Sequence, residues 1–510
     1  MICKHCGVDD SDVTVDDVQD AEHSNSCSNS SPCNLCMELA DLENAIARLK
    51  MKRCELKRNV NRRHSPFIRI PPEIISTISG FANTEFTIIG KLPSPILLSS
   101  VCTDWRKAVI GTPELWSSIK INLPSISQFG NDMVRKTFEL PRLASFIDEW
   151  LARSGQLPLN ISLCSDYEIP WDSSTRTLEE YLPIFQILNK YSSRWHSFDI
   201  SIPGILHRFL KPECLPLLEQ LYITCISYTH DITFPPTPCL NTVKIFPCTG
   251  MVSEFRISPD IKIQWNTVTH LSLGAISSRD CFALLRLNPQ LVHCTFLKVF
   301  DWTGDSLDSP ILSSLTYLSY HQRGDTVDIS RFLDNIKLPC LETLVLYSVI
   351  INPVIALVER SACSLRTLSL LDWQIRKTDK LIPLLQFLSP SLKRLAISRL
   401  PSPIRGTKNY LSLLTQIYTS QSEVDQVVGN GFLPNLEIFE YREEIGSTLE
   451  SSMLSNLPPP SQNYQNTTAT SKISLRSAYI STATIINKEV PHDISVILQQ
   501  LEGDGILTYT

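Results

Sequence analysis

Sulfur is the reactive element placed earliest in this chain, as Cys3-x-x-Cys6 and Cys33-x-x-Cys36. Two thiolates separated by two residues can both reach one ion, and two such pairs are the donor set of a tetrahedral zinc site. The gap between these pairs is longer than zinc knuckles use, and the polar stretch between them shows no compact pattern. Reduced thiols on a flexible tail therefore compete with zinc as a reading of Cys3, Cys6, Cys33 and Cys36. The other chemistry-bearing residues are dispersed. Neither GxxxxGK[ST], GxSxG nor HExxH occurs, the ten histidines do not cluster, and 17 glycines are few for a phosphate-cradling fold. No cofactor is called for, and the expectation is a chain that works by binding.

Composition narrows the class of partner. A length of 510 residues exceeds what one hydrophobic core organises, so two or more units are expected. With 43% apolar and 19% charged residues, most of the chain can offset its ordering entropy by burial. A net charge of -6 gives no general attraction to nucleic acid or anionic lipid. No nucleic acid and no membrane are expected as partners: the longest apolar run, LVLYSVIINPVIALV, is too short to span and is broken by Asn352 and Pro353. The start MICKHCGVDDSDV has no apolar core of a signal peptide, which predicts cytoplasm or nucleus and reduced cysteines.

Several elements could position a binding surface. From Leu35 to Val60 apolar residues recur at alternating spacings of four and three, interrupted by Arg53, which is a heptad seam. Such a helix must bury a narrow stripe, and a homodimer through residues 35–60 is one way to do so. Its second half, RLKMKRCELKRNVNRR, carries eight Lys or Arg against one Glu, which reads most simply as a solvated basic face. Next, IPPEII places Pro71 and Pro72 ahead of Glu73, a helix start in which proline wastes no donor and the carboxylate meets the positive end of the dipole. In ILLSSVCTDWRKAVI, Leu98, Val101, Cys102, Trp105 and Val109 share one helical face, ended by Gly111 and Pro113. ELW then returns Leu115 and Trp116 towards that face.

The ordered series IPPEII, VCTDW and TPELW resembles an F-box, and with the preceding basic heptad helix it is similar to a large fungal group of F-box proteins. The resemblance covers about a tenth of the chain. Ile70 stands where leucine is usual, and TEFTIIGKLPSP is a longer connection than the family's. The resemblance implies that Ile70, Pro71, Pro72, Glu73, Ile74, Ile75, Leu98 and Val101 meet a Skp-type adaptor, and through it a cullin. Cys102, Trp105, Leu115 and Trp116 would pack the small core.

After residue 190 a phrase recurs: apolar, two variable, apolar, one variable, apolar. It reads LEQLYI at 218, LNTVKI at 240, VTHLSL at 268, LETLVL at 341, LRTLSL at 365 and LKRLAI at 392, among ten in all from WHSFDI at 195 to LEIFEY at 436. All but the last interval lie between 22 and 28 residues, the range of leucine-rich repeats, and the last, of 44, reads as one unit with an insertion. Each phrase predicts a strand with its Leu side chains inward, and CFALLRLN, ISRFLDNI, PVIALVERS and KLIPLLQFL predict return helices. The loop position that usually carries Asn or Cys does so only at Cys248, which predicts irregular curvature.

The expected fold class is α/β: an N-terminal heptad helix, a three-helix F-box-like unit and an irregular leucine-rich-repeat solenoid. The expected divisions are a disordered tail at 1–34, a basic coiled-coil-like helix at 35–64 and the F-box-like domain at 66–120. A helical linker with the first repeat elements follows at 121–194, then the solenoid at 195–450, a mobile proline-containing loop at 451–472 and a C-terminal cap at 473–510. The resemblance implies a non-catalytic substrate-recognition subunit of a Skp-cullin-F-box ubiquitin ligase, its repeats holding an unknown protein substrate. The alternative is a protein-interaction scaffold, dimeric through the heptad helix and unconnected with ubiquitin. The outward strand positions Glu219, Gln220, Tyr222, Asn241, Lys244, Glu342, Arg366 and Lys393 are mixed in charge and name no ligand.

Overall fold

The computed structural model describes residues 34–64, 70–81, 94–123, 133–165, 179–225, 232–247, 261–300, 309–321, 326–347, 351–371, 378–399, 433–443, 475, 477–481 and 492–509. Cys3, Cys6, Cys33 and the expected loop at 451–472 lie outside them, as does the side chain of Cys36. The chain divides into two compact units, Met1–Pro124 with Arg142–Leu157, and Ser125–Pro141 with Pro158–Thr510. The first unit thus runs past residue 120 and takes in a segment that the sequence assigns to the linker.

The first unit begins with the heptad helix α1 (Asn34–His64). Three short helices follow: α2 (Pro72–Phe81), α3 (Ser94–Ser99) and α4 (Thr103–Ile110), with α2 and α3 both packed on α4. A 3-10 turn, Pro113–Trp116, leads into strand β1 (Ser118–Leu123), where Ile119, Ile121 and Leu123 are buried in strict alternation. Helix α5 (Met133–Arg153) contributes its second half, with Leu143, Ala144, Ile147, Trp150 and Leu151 buried at helical spacing.

The second unit is α/β, built on an open, all-parallel sheet of thirteen strands. They are β2 (Leu159–Ser165), β3 (Trp195–Ile202), β4 (Gln220–Cys225), β6 (Thr242–Pro247), β8 (His270–Ser277), β9 (His293–Phe300), β10 (Tyr317–Tyr320), β11 (Thr343–Tyr347), β12 (Thr367–Leu371), β13 (Arg394–Arg399), β14 (Ile438–Glu443), β15 (Ser477–Ser481) and β16 (Leu507–Tyr509). Each pairs with the next in chain order. The two-residue strands β5 (Ile232–Thr233) and β7 (Ile261–Lys262) form a separate small pair.

The recurrent phrase explains this order. Its second and third apolar residues fall on successive inward positions of a strand, so in-register neighbours stack like on like. Leu221 pairs with Val243, Leu271 with Cys294, Leu344 with Leu368 and Leu368 with Leu395, and all are buried. The first apolar residue, as in Leu218, Leu341 and Leu365, is buried just ahead of the strand. No single strand covers its own Leu row, so each draws its stability from two neighbours. Parallel neighbours need a crossover between them. The expected helices supply it at α7 (Ser278–Leu287), α8 (Thr326–Asp334), α9 (Ile351–Ser361) and α10 (Thr378–Leu388), after the earlier α6 (Leu182–Lys190). The segment expected as the C-terminal cap, 473–510, carries an eleventh phrase. Leu475 is buried just ahead of β15 and Ala478 on it, where alanine replaces the usual larger residue. Helix α11 (His492–Gly503) then leads to β16.

Candidate functional site

Two surfaces emerge, one on each unit. On the first, Pro71 supplies the carbonyl that opens α2, accepting from the amides of Ile74 at 3.0 Å and Ile75 at 3.1 Å. These neighbours then diverge. Ile75 turns inward and is 2% exposed, whereas Ile74 is 50% exposed and Ile78, one turn on, is also exposed. Ile75, expected on the adaptor face, is therefore a core residue, because a helix separates adjacent positions by about 100°. Pro71 and Glu73 are exposed, and Ile70 and Leu98 are half-buried.

Val101 occupies the turn between α3 and α4 and is 49% exposed. The turn is tied down by Arg106, whose Nε donates to the Ser99 carbonyl at 3.0 Å. At the far end of α4 the Gly111 amide donates to the Lys107 carbonyl at 2.9 Å, and a Cβ on Gly111 would stand 3.0 Å from that oxygen. The Thr112 hydroxyl donates to the Ala108 carbonyl at 2.7 Å. The chain is thereby turned so that Trp116 is buried, its Nε1 donating to the Val109 carbonyl at 2.9 Å. Trp105 is buried as expected, while Cys102 and Leu115 are only half-buried and lie at the margin of the core. The partner of Trp116 comes from α5: Trp150 meets it edge to face with centroids 4.7 Å apart, and the Arg153 guanidinium lies 4.8 Å over the Trp116 ring. The spacing of Trp150 and Arg153 in FIDEWLAR, one helical turn, was the available signal for this pairing.

On the second unit the outward strand positions also stack in register. His270 pairs with His293, and His293 with Tyr317. Their rings form a column, 5.4 Å between the imidazoles and 3.7 Å between His293 and Tyr317. Next to it His321 is hydrogen-bonded to the Ser319 hydroxyl and tilts against Tyr347 at 4.7 Å. Burial holds the His321 imidazole down to about 4. Burial, reinforced by His270, does the same to His293, also to about 4. His270 is lowered by burial, and Tyr317 is raised by it against a hydrogen bond from Ser319. The centre of this face is thus an uncharged aromatic strip above pH 6.5.

Polar side chains flank the strip in contacts between neighbouring repeats. Lys244 lies 4.7 Å over the Tyr222 ring, and His196 approaches Glu219 at 3.4 Å. On the other side Arg366 meets Glu342 at 3.4 Å, Lys393 meets Glu437 at 3.1 Å and Arg394 meets the buried Glu440 at 2.5 Å. Of the mixed charges read from the sequence, Glu342, Arg366 and Lys393 sit in ion pairs between neighbouring repeats, which period alone does not reveal, while Lys244 rests on an aromatic ring.

No family model matches the chain. No curated protein is detectably similar to it either. Among the described residues no helix is long and apolar enough to cross a membrane, and no three His, Cys, Asp or Glu side chains gather as a metal site requires. Below the sheet, burial raises the thiols of Cys281 and Cys294, which suits packed rather than reactive cysteines.

Proposed function

We propose that this chain is a substrate-recognition subunit of a Skp-cullin-F-box ubiquitin ligase, acting in the cytoplasm or nucleus. The observation that carries the reading is the split between Ile74 and Ile75. The small helical unit has a filled core of Ile75, Trp105, Val109 and Trp116, yet leaves Ile74, Ile78 and Val101 in solvent. Apolar side chains left out of a satisfied core are the anchors of a partner's pocket. Together with the order IPPEII, VCTDW, TPELW, they favour a Skp-type adaptor as that partner.

The thirteen-strand sheet then serves as an irregular leucine-rich-repeat solenoid, whose outward face holds a protein target. Its aromatic strip, bordered on one side by three ion pairs, suits a protein surface of mixed character: rigid rings provide area at low entropic cost, and the charges impose register. The chain supplies no reacting group in this scheme. It raises the effective concentration of a bound target near the charged conjugating enzyme, converting an encounter into a step within one complex.

The target side is tested by affinity purification under proteasome inhibition. The full chain should recover adaptor, cullin and at least one ubiquitinated protein. A His293→Asp, Tyr317→Ala variant should keep the first two and lose the third. Recovery of the adaptor without any cullin would point instead to a scaffold that uses the same adaptor face outside ubiquitination.

A further inference from the structure

Helix α1 lies outside the surfaces described above and leaves its apolar stripe uncovered among the described residues. Leu39, Leu42, Ile46, Leu49, Leu56 and Val60 recur at the heptad spacing and are 51–67% exposed. A seam of this kind is stable only against another helix. We infer that it pairs with the same helix of a second copy, and that the two run antiparallel.

The direction follows from the charged residues. With Leu39, Ile46, Arg53 and Val60 at one seam position and Leu42, Leu49 and Leu56 at the other, Glu38, Glu43, Lys50, Lys52 and Lys57 flank the seam. A parallel, in-register pair sets Arg53 against Arg53, Glu38 against Glu43 and Lys52 against Lys57, so like charges meet in the seam and on both sides of it. Reversing one helix removes all of these. Leu39 then faces Leu56, Ile46 faces Leu49, and Arg53 lies over Leu42 beside the acidic end of the other helix. Glu43 comes beside Lys50, twice by symmetry. The acidic first half of the stripe and its basic second half are thus complementary only to a reversed copy of themselves. A different helix could be paired with the stripe only if it carried the same reversed pattern, and this chain already provides one.

The test uses the full chain in sedimentation equilibrium at about 10 μM, where dimer should predominate if dissociation is micromolar. Ile46→Asp should give monomer without altering the thermal melt of the two compact units. Glu43→Lys should weaken the dimer by about tenfold, because two attractions become repulsions. Adding Lys50→Glu to it should restore wild-type association. Glu43→Lys tightening the dimer would overturn the antiparallel direction, since in a parallel pair that change relieves a repulsion. A wild-type monomer, or a dimer indifferent to Ile46→Asp, would overturn the pairing itself. None of these variants touches the adaptor face, so adaptor binding by each reports separately on the proposed function.

Discussion

Trp116 and Trp150 meet edge to face at 4.7 Å although 34 residues separate them, and the Arg153 guanidinium lies over the Trp116 ring. The small helical unit is therefore completed by a helix turn that the F-box resemblance does not include. Trp150→Ala should cost about 3–5 kcal/mol through the cavity and the lost ring contact. Trp116→Phe keeps most of the packing but removes one of the hydrogen bonds that the Val109 carbonyl accepts, the Thr112 amide at 3.3 Å remaining, at about 0.5–1.5 kcal/mol. Chemical denaturation followed by tryptophan fluorescence checks both, and the first unit should respond while the melt of the sheet unit stays in place.

Acid should loosen the sheet unit along a defined window. His293 and His321 bind protons near pH 4 in the folded chain and near 6.5 when unfolded, so between these values the unfolded state holds more protons. Stability is then full above pH 6.5, falls as pH drops towards about 4, and levels off below. His321 alone accounts for roughly 3 kcal/mol of that fall. His321→Phe should flatten the curve of unfolding midpoint against pH, which urea titrations from pH 4 to 7 would reveal. An unchanged slope would mean that His321 is not held neutral by burial.

Ala362 follows the last residue of α9 at φ 50°, a left-handed conformation that a Cβ disfavours. It is exposed, so nothing is lost by removing its methyl group. Ala362→Gly should stabilise the sheet unit by about 0.5–1 kcal/mol, where glycine in the helix interior would cost stability. A raised midpoint in thermal unfolding supports the conformation, and a lowered one contradicts it.

How much of this was legible beforehand follows from what each residue's role depends on. Strand existence depends on a period, and Leu341, Leu344 and Leu346 announce it locally, so all ten phrases coincide with strands. The segment at Leu475 and Ala478 reads as part of a cap and not of the repeat series, because alanine fills a position where the pattern looks for a larger residue. Helices α7 to α10 were readable for the same local reason. The column of His270, His293 and Tyr317 was not, because it exists only in the register between strands that lie 23 and 24 residues apart. The histidines looked solitary in sequence and are stacked in space. At the helical unit, proline and the following glutamate located the start of α2, but which of two adjacent isoleucines faces inward depends on how α2 lies on α4. Ile75 was accordingly placed on the surface by the family pattern and in the core by packing.

That same pair of isoleucines gives the most direct test of the proposed docking. Purified wild-type chain should bind a recombinant Skp-type adaptor with a one-to-one stoichiometry in titration calorimetry. Ile74→Ala with Val101→Ala should weaken binding by at least about twentyfold, an anchor-sized loss, with an unchanged melt. Ile75→Ala should instead lower stability by about 2–4 kcal/mol. Absence of heat with the wild-type chain, or equal affinity for the Ile74→Ala, Val101→Ala variant, would contradict the assignment of this face to the adaptor.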